Sequence, residues 1–387
     1  MSGLTGSATG PSDAPRRNVP VWDEGEWRGL PQLQGDVTAD VCVVGLGGSG
    51  LSALHELLDL GANVVGVDAG LVAGGAAGRN GGLMLAGVAA FHHDAAAELG
   101  SERATALYRL TEEAREREIE AGVGGVRRTG SLRIAADDAE LADCRAQLAR
   151  MEADGLAASW YSGPEGEGLL FPHDAVFNPL ERCRQLAQRA ATRGARLFER
   201  SPVRELHGTE VVTDGGRVSC GAVVVAVDGR LDQLLPELAD SVRTARLQML
   251  ATEPTEALSL ERPVYRRYGY EYYQRTPAGC VALGGFRDHG GEDEWTATAE
   301  PSAAVQERLE RFLRDELKVS ARITHRWAAS VGFTSGVLPV AATLRGGVRV
   351  VGGYNGTGNL VGAVAGRAAA RKAMGLDSRA WHLLGGD

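Results

Sequence analysis

One stretch, Ala39 to Asp68, constrains the fold more than any other part of the chain. An apolar run, Val41 to Val44, meets Gly45-x-Gly47-x-x-Gly50. An amphipathic segment carrying Leu51, Leu54, Leu57 and Leu58 follows, and a second apolar run, Val64 to Val67, ends on Asp68. Strand, tight turn, helix, strand and acid in that order form the dinucleotide-binding fingerprint in its required context. Gly45 allows the sharp turn, Gly47 lets backbone approach a pyrophosphate, and Gly50 lets the helix pack closely on the strand. The helix N-terminus presents free N–H groups and the positive end of its dipole to the phosphates. Asp68 is placed to accept hydrogen bonds from both hydroxyls of an adenosine ribose.

The 387 residues allow a large core and suggest two domains or one interleaved pair. A net charge of −9 argues against a nucleic-acid partner, because a phosphate backbone calls for a basic face. Lys318 and Lys372 are the only lysines, so a catalytic lysine has two candidates. The five cysteines, Cys42, Cys144, Cys183, Cys220 and Cys280, are scattered, and no CxxC or Cys/His cluster points to a disulfide framework or a metal site. Residues 1–18 are rich in Ser, Gly, Pro and Asp without the apolar core of a signal peptide. No later stretch approaches the ~20 apolar residues of a membrane span. The expectation is a cytoplasmic protein with no membrane partner.

The pattern along the chain predicts a discontinuous α/β architecture: a Rossmann-like dinucleotide-binding domain interleaved with an antiparallel-sheet substrate domain. Residues 1–20 read as a disordered start. The nucleotide domain is expected over 21–122, 173–238 and 322–387, and the substrate domain over 123–172 and 239–321. Val21 to Gln34, with Trp22, Trp27, Pro31 and Leu33, reads as an irregular lead-in. A long helical region is expected over about 94–121, whose charge run Thr111–Glu120 reads as a solvated face laced with i,i+4 pairs. Asp137 to Asp154 reads as a helix, and Asn178-Pro179 opens another with proline at its first position. Ala195 to Leu206 and Val218 to Val227 read as strands, the latter nearly all apolar as in a strand buried on both faces. Short alternating runs over 240–290 suggest an antiparallel sheet. A helix is expected over 301–317, and Val348 to Val351, a glycine cluster and a helix to about 374 close the chain.

Three further glycine-rich segments fit a flavin better than a nicotinamide. Ala73-Gly-Gly-Ala-Ala-Gly-Arg-Asn-Gly-Gly82 follows the ribose-binding acid, and its Arg79 and Asn80 are placed to donate to phosphate or ring atoms. Ala226-Val-Asp-Gly229 ends a buried strand. Val351-Gly-Gly-Tyr-Asn-Gly-Thr-Gly-Asn-Leu360 leads straight into a helix, whose N-terminus suits the negative charge that appears on a reduced flavin.

With these segments the sequence resembles the D-amino-acid oxidase/glycine oxidase superfamily of FAD-dependent oxidoreductases, and within it the γ-glutamylputrescine oxidase-like amine oxidoreductases. The resemblance is carried by Asp40–Ala53, Gly78-Arg-Asn-Gly-Gly82, Asn178-Pro179, Tyr272-Tyr-Gln-Arg275, Leu283-Gly-Gly-Phe-Arg-Asp288, Arg326-Trp327 with Leu338-Pro339, and Gly353-Tyr-Asn-Gly-Thr-Gly358. It covers about residues 20–375. It implies noncovalent FAD and oxidation of the C–N bond of a small amine or amino acid to an imine, by hydride transfer to flavin N5. The cofactor contacts it implies are Gly45, Leu46, Gly47, Gly48, Ser49, Gly50, Asp68, Ala69, Arg79, Asn80, Gly81, Gly82, Val203, Gly229, Gly353, Asn355, Gly356, Thr357, Gly358 and Asn359. No metal is expected.

Several positions depart from the family pattern. Ala282 aligns where sarcosine-oxidase-like members carry a lysine near flavin N5, which bears on whether oxygen is the electron acceptor. Gly336 stands where many relatives have an aspartate, and Thr357 where this branch commonly has a histidine between glycines. Asn80 lies near the histidine that attaches flavin in covalent members. On the substrate side, the densest aromatic and basic segment is Tyr265–Arg275. Read as one strand, it puts Tyr268, Tyr270 and Tyr272 on one face and Arg267, Glu271, Tyr273 and Arg275 on the other. Tyr268, Tyr270, Tyr272, Tyr273, Arg275 and Trp327 are therefore the pocket candidates, with an arginine to clamp a carboxylate. His92-His93 read as loop residues. Two other readings stand beside amine oxidation: a dehydrogenase of the same fold passing electrons to a carrier, and a flavoprotein that has lost catalysis.

Overall fold

The computed structural model describes residues 15–387. Of the start expected to be disordered, residues 1–14 lie outside the described residues. Arg16–Arg17 pair in parallel with His325 and Arg326.

The fingerprint segment folds as its pattern requires. Val37–Val44, the helix Gly48–Asp59 and Val64–Val67 form one strand–helix–strand unit of an eight-stranded sheet. Val64–Val67 pairs in parallel with Val37–Val44 on one side and with Arg196–Phe198 on the other. Gly216–Val225 pairs in parallel with Val37–Val44, and its apolar end also pairs with Val348–Gly352. That end, Val223 to Val225, is fully buried, as a central strand flanked on both edges should be. The helix Val361–Ala373 packs on Gly48–Asp59 so closely that a Cβ on Gly366 would collide with Ser49 O.

A nine-stranded, mostly antiparallel sheet forms the second layer. Its spatial order is Arg16–Arg17, Ile323–Phe333, Arg243–Pro254, Cys280–Gly285, Glu271–Arg275, Val264–Arg266, Ser131–Ile134, Gly166–Phe171, Ser159–Gly163. Strand alternation divides its side chains cleanly. Leu250, Tyr273, Val281 and Leu283 pack with Val305, Leu309, Phe312 and Leu313 of the helix Ala303–Asp315. Met249, Ala251, Ala282 and Trp327 join the core shared with the nucleotide sheet. A small third sheet pairs Ala175–Val176 with Leu83–Met84 and Arg127–Arg128.

Several sequence expectations change. The strand Ile323–Phe333, expected on the nucleotide side from residue 322, pairs with Arg243–Pro254 along its length and so lies in the nine-stranded sheet, not the one that carries the fingerprint. The helical region expected over 94–121 consists of two helices, His92–Leu99 and Ser101–Ala121, because Gly100 takes φ +82° between them. Ala195 to Leu206 likewise divides into Arg196–Phe198 and Val203–His207. His92 opens a helix and its Nε2 lies 2.8 Å from Asp154 Oδ2, so it is no loop residue. Of the helix expected over 137–154, Asp138–Ala153 forms, with the Asp137 carboxylate accepting from Glu140 N.

The charge run is not a solvated face throughout. Glu118 is buried and forms a two-pronged pair with buried Arg182 at 2.7 and 2.8 Å. Buried Arg115 lies 3.2 Å from Asp174, whose carboxyl burial pushes up to about 6 despite that guanidinium and the Ser131 hydroxyl.

Candidate active site

A cavity of about 1180 Å³ opens between the two large sheets. On one side it is lined by the fingerprint turn, by Asp68 and the glycine loop that follows it, and by Val227–Gly229 and Asn355–Asn359. On the other it is lined by Leu247, Met249, Tyr265, Tyr268, Tyr270, Tyr272 and Phe333.

The dinucleotide side is shaped by missing side chains. Gly45 adopts φ +102°, and a Cβ there would fall 2.5 Å from Ala226 O. A Cβ on Gly50 would collide with Gly45 O, so these two glycines hold strand, turn and helix together. Gly47 differs: a Cβ there would meet only Ala77, at an ordinary 3.4 Å, and would point space-filling atoms toward the cavity. No side chain caps the N-terminus of Gly48–Asp59, and its first turn carries no acid. Its N–H groups and dipole are thus left for an anionic ligand. Asp68 Oδ2 accepts from Leu46 N at 2.7 Å and Oδ1 from Gly70 N at 2.8 Å. Burial raises its pKa and those two N–H groups oppose the rise. Each oxygen keeps a second lone pair for a ribose hydroxyl. Tyr354 Oη, buried beside the two helix starts, has no hydrogen-bond partner among the described residues. Phosphates, a ribose and an extended ring system are what such a lining accommodates, so the residues fit FAD.

The loop after Asp68 is held by side chains from far along the chain. Trp327 Nε1–H donates to Arg79 O and Trp22 Nε1–H to Asn80 O, both at 2.8 Å, while Gln274 Nε2 donates to Gly81 O. Three consecutive carbonyls are thereby pinned by three segments. The side chains of Arg79 and Asn80 are committed in the same way: Arg79 Nε donates to Ala328 O at 2.7 Å, and Asn80 Nδ2 to Ala77 O at 2.9 Å. Both residues line the cavity, but these donors hold backbone rather than point at a ligand. Asp228, expected only as part of a strand end, takes φ +48° and accepts from Gly332 N, Gly353 N and Tyr354 N at 3.0–3.2 Å. It clamps the ends of three strands around the cavity, a strained conformation held by its surroundings.

Of the expected cofactor positions, Gly45, Gly47, Gly48, Ser49, Asp68, Ala69, Arg79, Asn80, Gly81, Val203, Gly229, Asn355, Gly356, Thr357, Gly358 and Asn359 line the cavity. Leu46, Gly50, Gly82 and Gly353 stand behind that surface. The aromatic segment is not one strand. It is a hairpin, Val264–Arg266 and Glu271–Arg275, with Arg267, Tyr268 and Gly269 all at positive φ in the turn. Tyr268, Tyr270 and Tyr272 do line the cavity, with Tyr265 added from the other strand. Tyr273 faces away against Phe312, and Arg275 pairs with Glu256. Trp327 is fully buried and serves as the anchor of Arg79 O. Ala282 lies in the core and off the cavity wall, and no lysine, histidine or cysteine lines the cavity. Met249, Tyr265 and Arg287 line it without having been named as candidates, and Asp228 lines it from within the Ala226–Gly229 segment.

Among the described residues no helix is long and apolar enough to cross a membrane. Residues 40–372 match the family described as DAO, FAD dependent oxidoreductase. The chain is 27% identical over 369 residues to γ-glutamylputrescine oxidoreductase of Escherichia coli (strain K12), covering 87% of this chain and 83% of that protein. It is 26% identical over 373 residues to the probable oxidoreductase OrdL of Rhizobium meliloti (strain 1021), covering 89% and 85%. Among solved structures, glycine oxidase from Geobacillus kaustophilus superposes with a TM-score of 0.72 at 20% identity, over 88% of this chain and 96% of that one. L-proline dehydrogenase from P. horikoshii does so with a TM-score of 0.71 at 18% identity, over 90% and 96%. These structures share the fold. Fingerprint, cavity and family match agree: the chain belongs to the DAO family of FAD-dependent oxidoreductases.

Proposed function

We propose that this enzyme oxidises the C–N bond of a small amine or amino acid to an imine, with FAD held noncovalently. The observation that carries the reading is the continuity of one cavity from the dinucleotide fingerprint to a wall of four tyrosines and Met249. FAD, when bound, supplies the acceptor for the hydride leaving the carbon next to nitrogen. The chain's own part is positioning and exclusion of water. The Gly45–Ser49 turn and Asp68 hold the dinucleotide; the pinned Arg79–Gly81 carbonyls fix the loop between dinucleotide and substrate; the tyrosines present a largely apolar wall that favours a neutral amine. The absence of histidine and cysteine from the lining supports noncovalent binding. The γ-glutamylputrescine oxidoreductase similarity supports an amine substrate. The division into FAD-binding and substrate domains belongs to this proposal, with Ile323–Phe333 moved to the substrate sheet, as does action in the cytoplasm.

A second reading concerns the electron acceptor. No lysine reaches the cavity, and Ala282 is sealed in the core. A lysine near the flavin is one way to favour reaction with oxygen, so the lack of one here favours an electron carrier over oxygen. The test of both readings is an anaerobic visible spectrum of the FAD-loaded protein before and after amines spanning γ-glutamylputrescine, polyamines, sarcosine, glycine and D-amino acids. Bleaching by one class establishes amine oxidation; a flavin that no amine bleaches removes it. Oxygen uptake at the rate of bleaching removes the carrier reading.

A further inference from the structure

We infer that Arg182 is a ligand of the FAD diphosphate, reaching it past Gly48 from outside the fingerprint. The inference rests on the family's cofactor and not on which bond the enzyme oxidises. Five arginines line the cavity: Arg79, Arg182, Arg204, Arg230 and Arg287. Only Arg182 among them is buried, at 1% exposure, and it stands on the helix Pro179–Thr192, far along the chain from the glycine turn. Its fork is only partly used. Nε and Nη2 donate to the two carboxylate oxygens of Glu118 at 2.8 and 2.7 Å. Nη1 makes no hydrogen bond to any described residue, and it lies 3.3 Å from where a Cβ on Gly48 would stand. That is tighter than ordinary side-chain contact, so a glycine at 48 is what keeps the gap between the guanidinium and the first turn of Gly48–Asp59 open.

By itself this arrangement is unfavourable. The first turn of a helix carries free N–H groups and the positive end of the dipole, and it favours an acid beside it. Gly48–Asp59 has no acid in its first turn and no side-chain cap; a buried cation stands beside it instead. Glu118 offsets the charge of Arg182 but accepts along the Nε–Nη2 edge of the fork. Nη1 and the helix N–H groups are thereby left side by side as donors with no acceptor between them. One anion in the gap satisfies both. Tyr354 adds a further donor at this end of the helix: its buried Oη has no partner among the described residues, and a Cβ on Gly362 would lie 3.4 Å from its ring and 3.6 Å from Ser49 Cβ. The acceptor called for is an anion with several oxygens, and the diphosphate is the part of FAD that a helix start of this kind takes.

The other arginines of the lining are placed differently. Arg79 donates to Ala328 O, Arg204 pairs with Asp214 in solvent, Arg230 is exposed, and Arg287 lies against Trp295 and Phe333. Glu118 is the positioning residue of the arrangement. Its two-pronged pair fixes the plane of the guanidinium, which a single bond would let turn. The free edge is therefore presented to the phosphate without ordering a side chain on binding.

The test removes the ligand without leaving a buried charge behind, and it measures binding without turnover. Replacing both members of a buried ion pair by apolar groups is commonly neutral for stability, whereas removing one is not. The double variant Glu118→Leu/Arg182→Met should therefore keep the wild-type far-ultraviolet circular dichroism spectrum. Its FAD dissociation constant, read from flavin fluorescence as FAD-loaded protein is diluted, should rise roughly tenfold to a hundredfold, the range of a charge-assisted hydrogen bond. Arg182→Lys keeps the charge without the fork; its constant should fall between the two, and it decides the matter if the double variant loses its fold. Phosphorus NMR of the FAD-loaded proteins gives a readout that a purely structural pair would not move. At least one of the two diphosphate resonances should shift between wild type and variant. A dissociation constant unchanged in the variant that decides, or two resonances that stay in place, overturns the inference.

Discussion

The two walls of the cavity are built on opposite principles. The nucleotide wall is made by backbone: Gly45, Gly47 and Gly50 act through the side chains they lack, and Asp68 and the uncapped helix start at Gly48 supply the polarity. The facing wall, the substrate side in the proposed reading, is made by side chains, Tyr265, Tyr268, Tyr270, Tyr272, Met249 and Arg287, contributed by several strands and the turns between them. A backbone wall is specified by a short contiguous stretch and binds a fixed chemical object. A side-chain wall is assembled from distant positions and can be re-lined without disturbing the strands, which is where specificity resides.

The sharpest way to break this comparison is Gly47→Val. Its added atoms enter the cavity and not the fold, so FAD binding should vanish while the far-ultraviolet circular dichroism spectrum is kept. Purified protein with full flavin content would refute the assignment of this wall. Next in size is Glu118→Gln. It leaves the buried Arg182 guanidinium without its anion just behind Gly48, and should cost about 3–5 kcal/mol in denaturant unfolding. A loss under 1 kcal/mol would show that the pair is not structural.

Asp68→Ala should weaken FAD binding by ~1.5–3 kcal/mol, since charge-assisted bonds to the ribose are lost while the glycine turn remains. Fluorescence titration of apoprotein with FAD measures it, and an unchanged dissociation constant would move the ribose elsewhere. The smallest effect expected is from Tyr272→Phe. Its hydroxyl makes no protein hydrogen bond among the described residues, so stability should stay within about 0.5 kcal/mol and FAD affinity should not move. Only the rate of anaerobic reduction by amine should change. A loss of flavin in this variant would show that the two walls are not separable.

Element types were largely readable because they rest on local physics. The period-2 and helical patterns, the Asn178 cap accepting from Glu181 N before Pro179, and the apolar run ending at Val225 all express themselves within a few residues. The failures have local causes of another kind. Gly100 breaks a helix that periodicity carries through, and three successive positive-φ residues, Arg267 to Gly269, fold an apparent strand into a hairpin turn. The second strand keeps the alternation that sets Tyr273 and Arg275 opposite Tyr272, so Tyr272 lines the cavity and the other two, though named as pocket candidates, do not.

By itself the sequence determined the strand, glycine turn and helix that line one side of the cavity, since steric room at such a turn is a property of one short stretch and needs no partner. It also determined that the chain carries a nucleotide sheet interleaved with an antiparallel one. Only tertiary structure decided that buried Arg182 meets Glu118, that Trp22, Trp327 and Gln274 pin three consecutive carbonyls, and that Asp228 ties three strand ends together. Those outcomes depend on which distant groups meet, and the pairing of charges and hydrogen bonds across hundreds of residues is set by strand order and register, which no local pattern encodes.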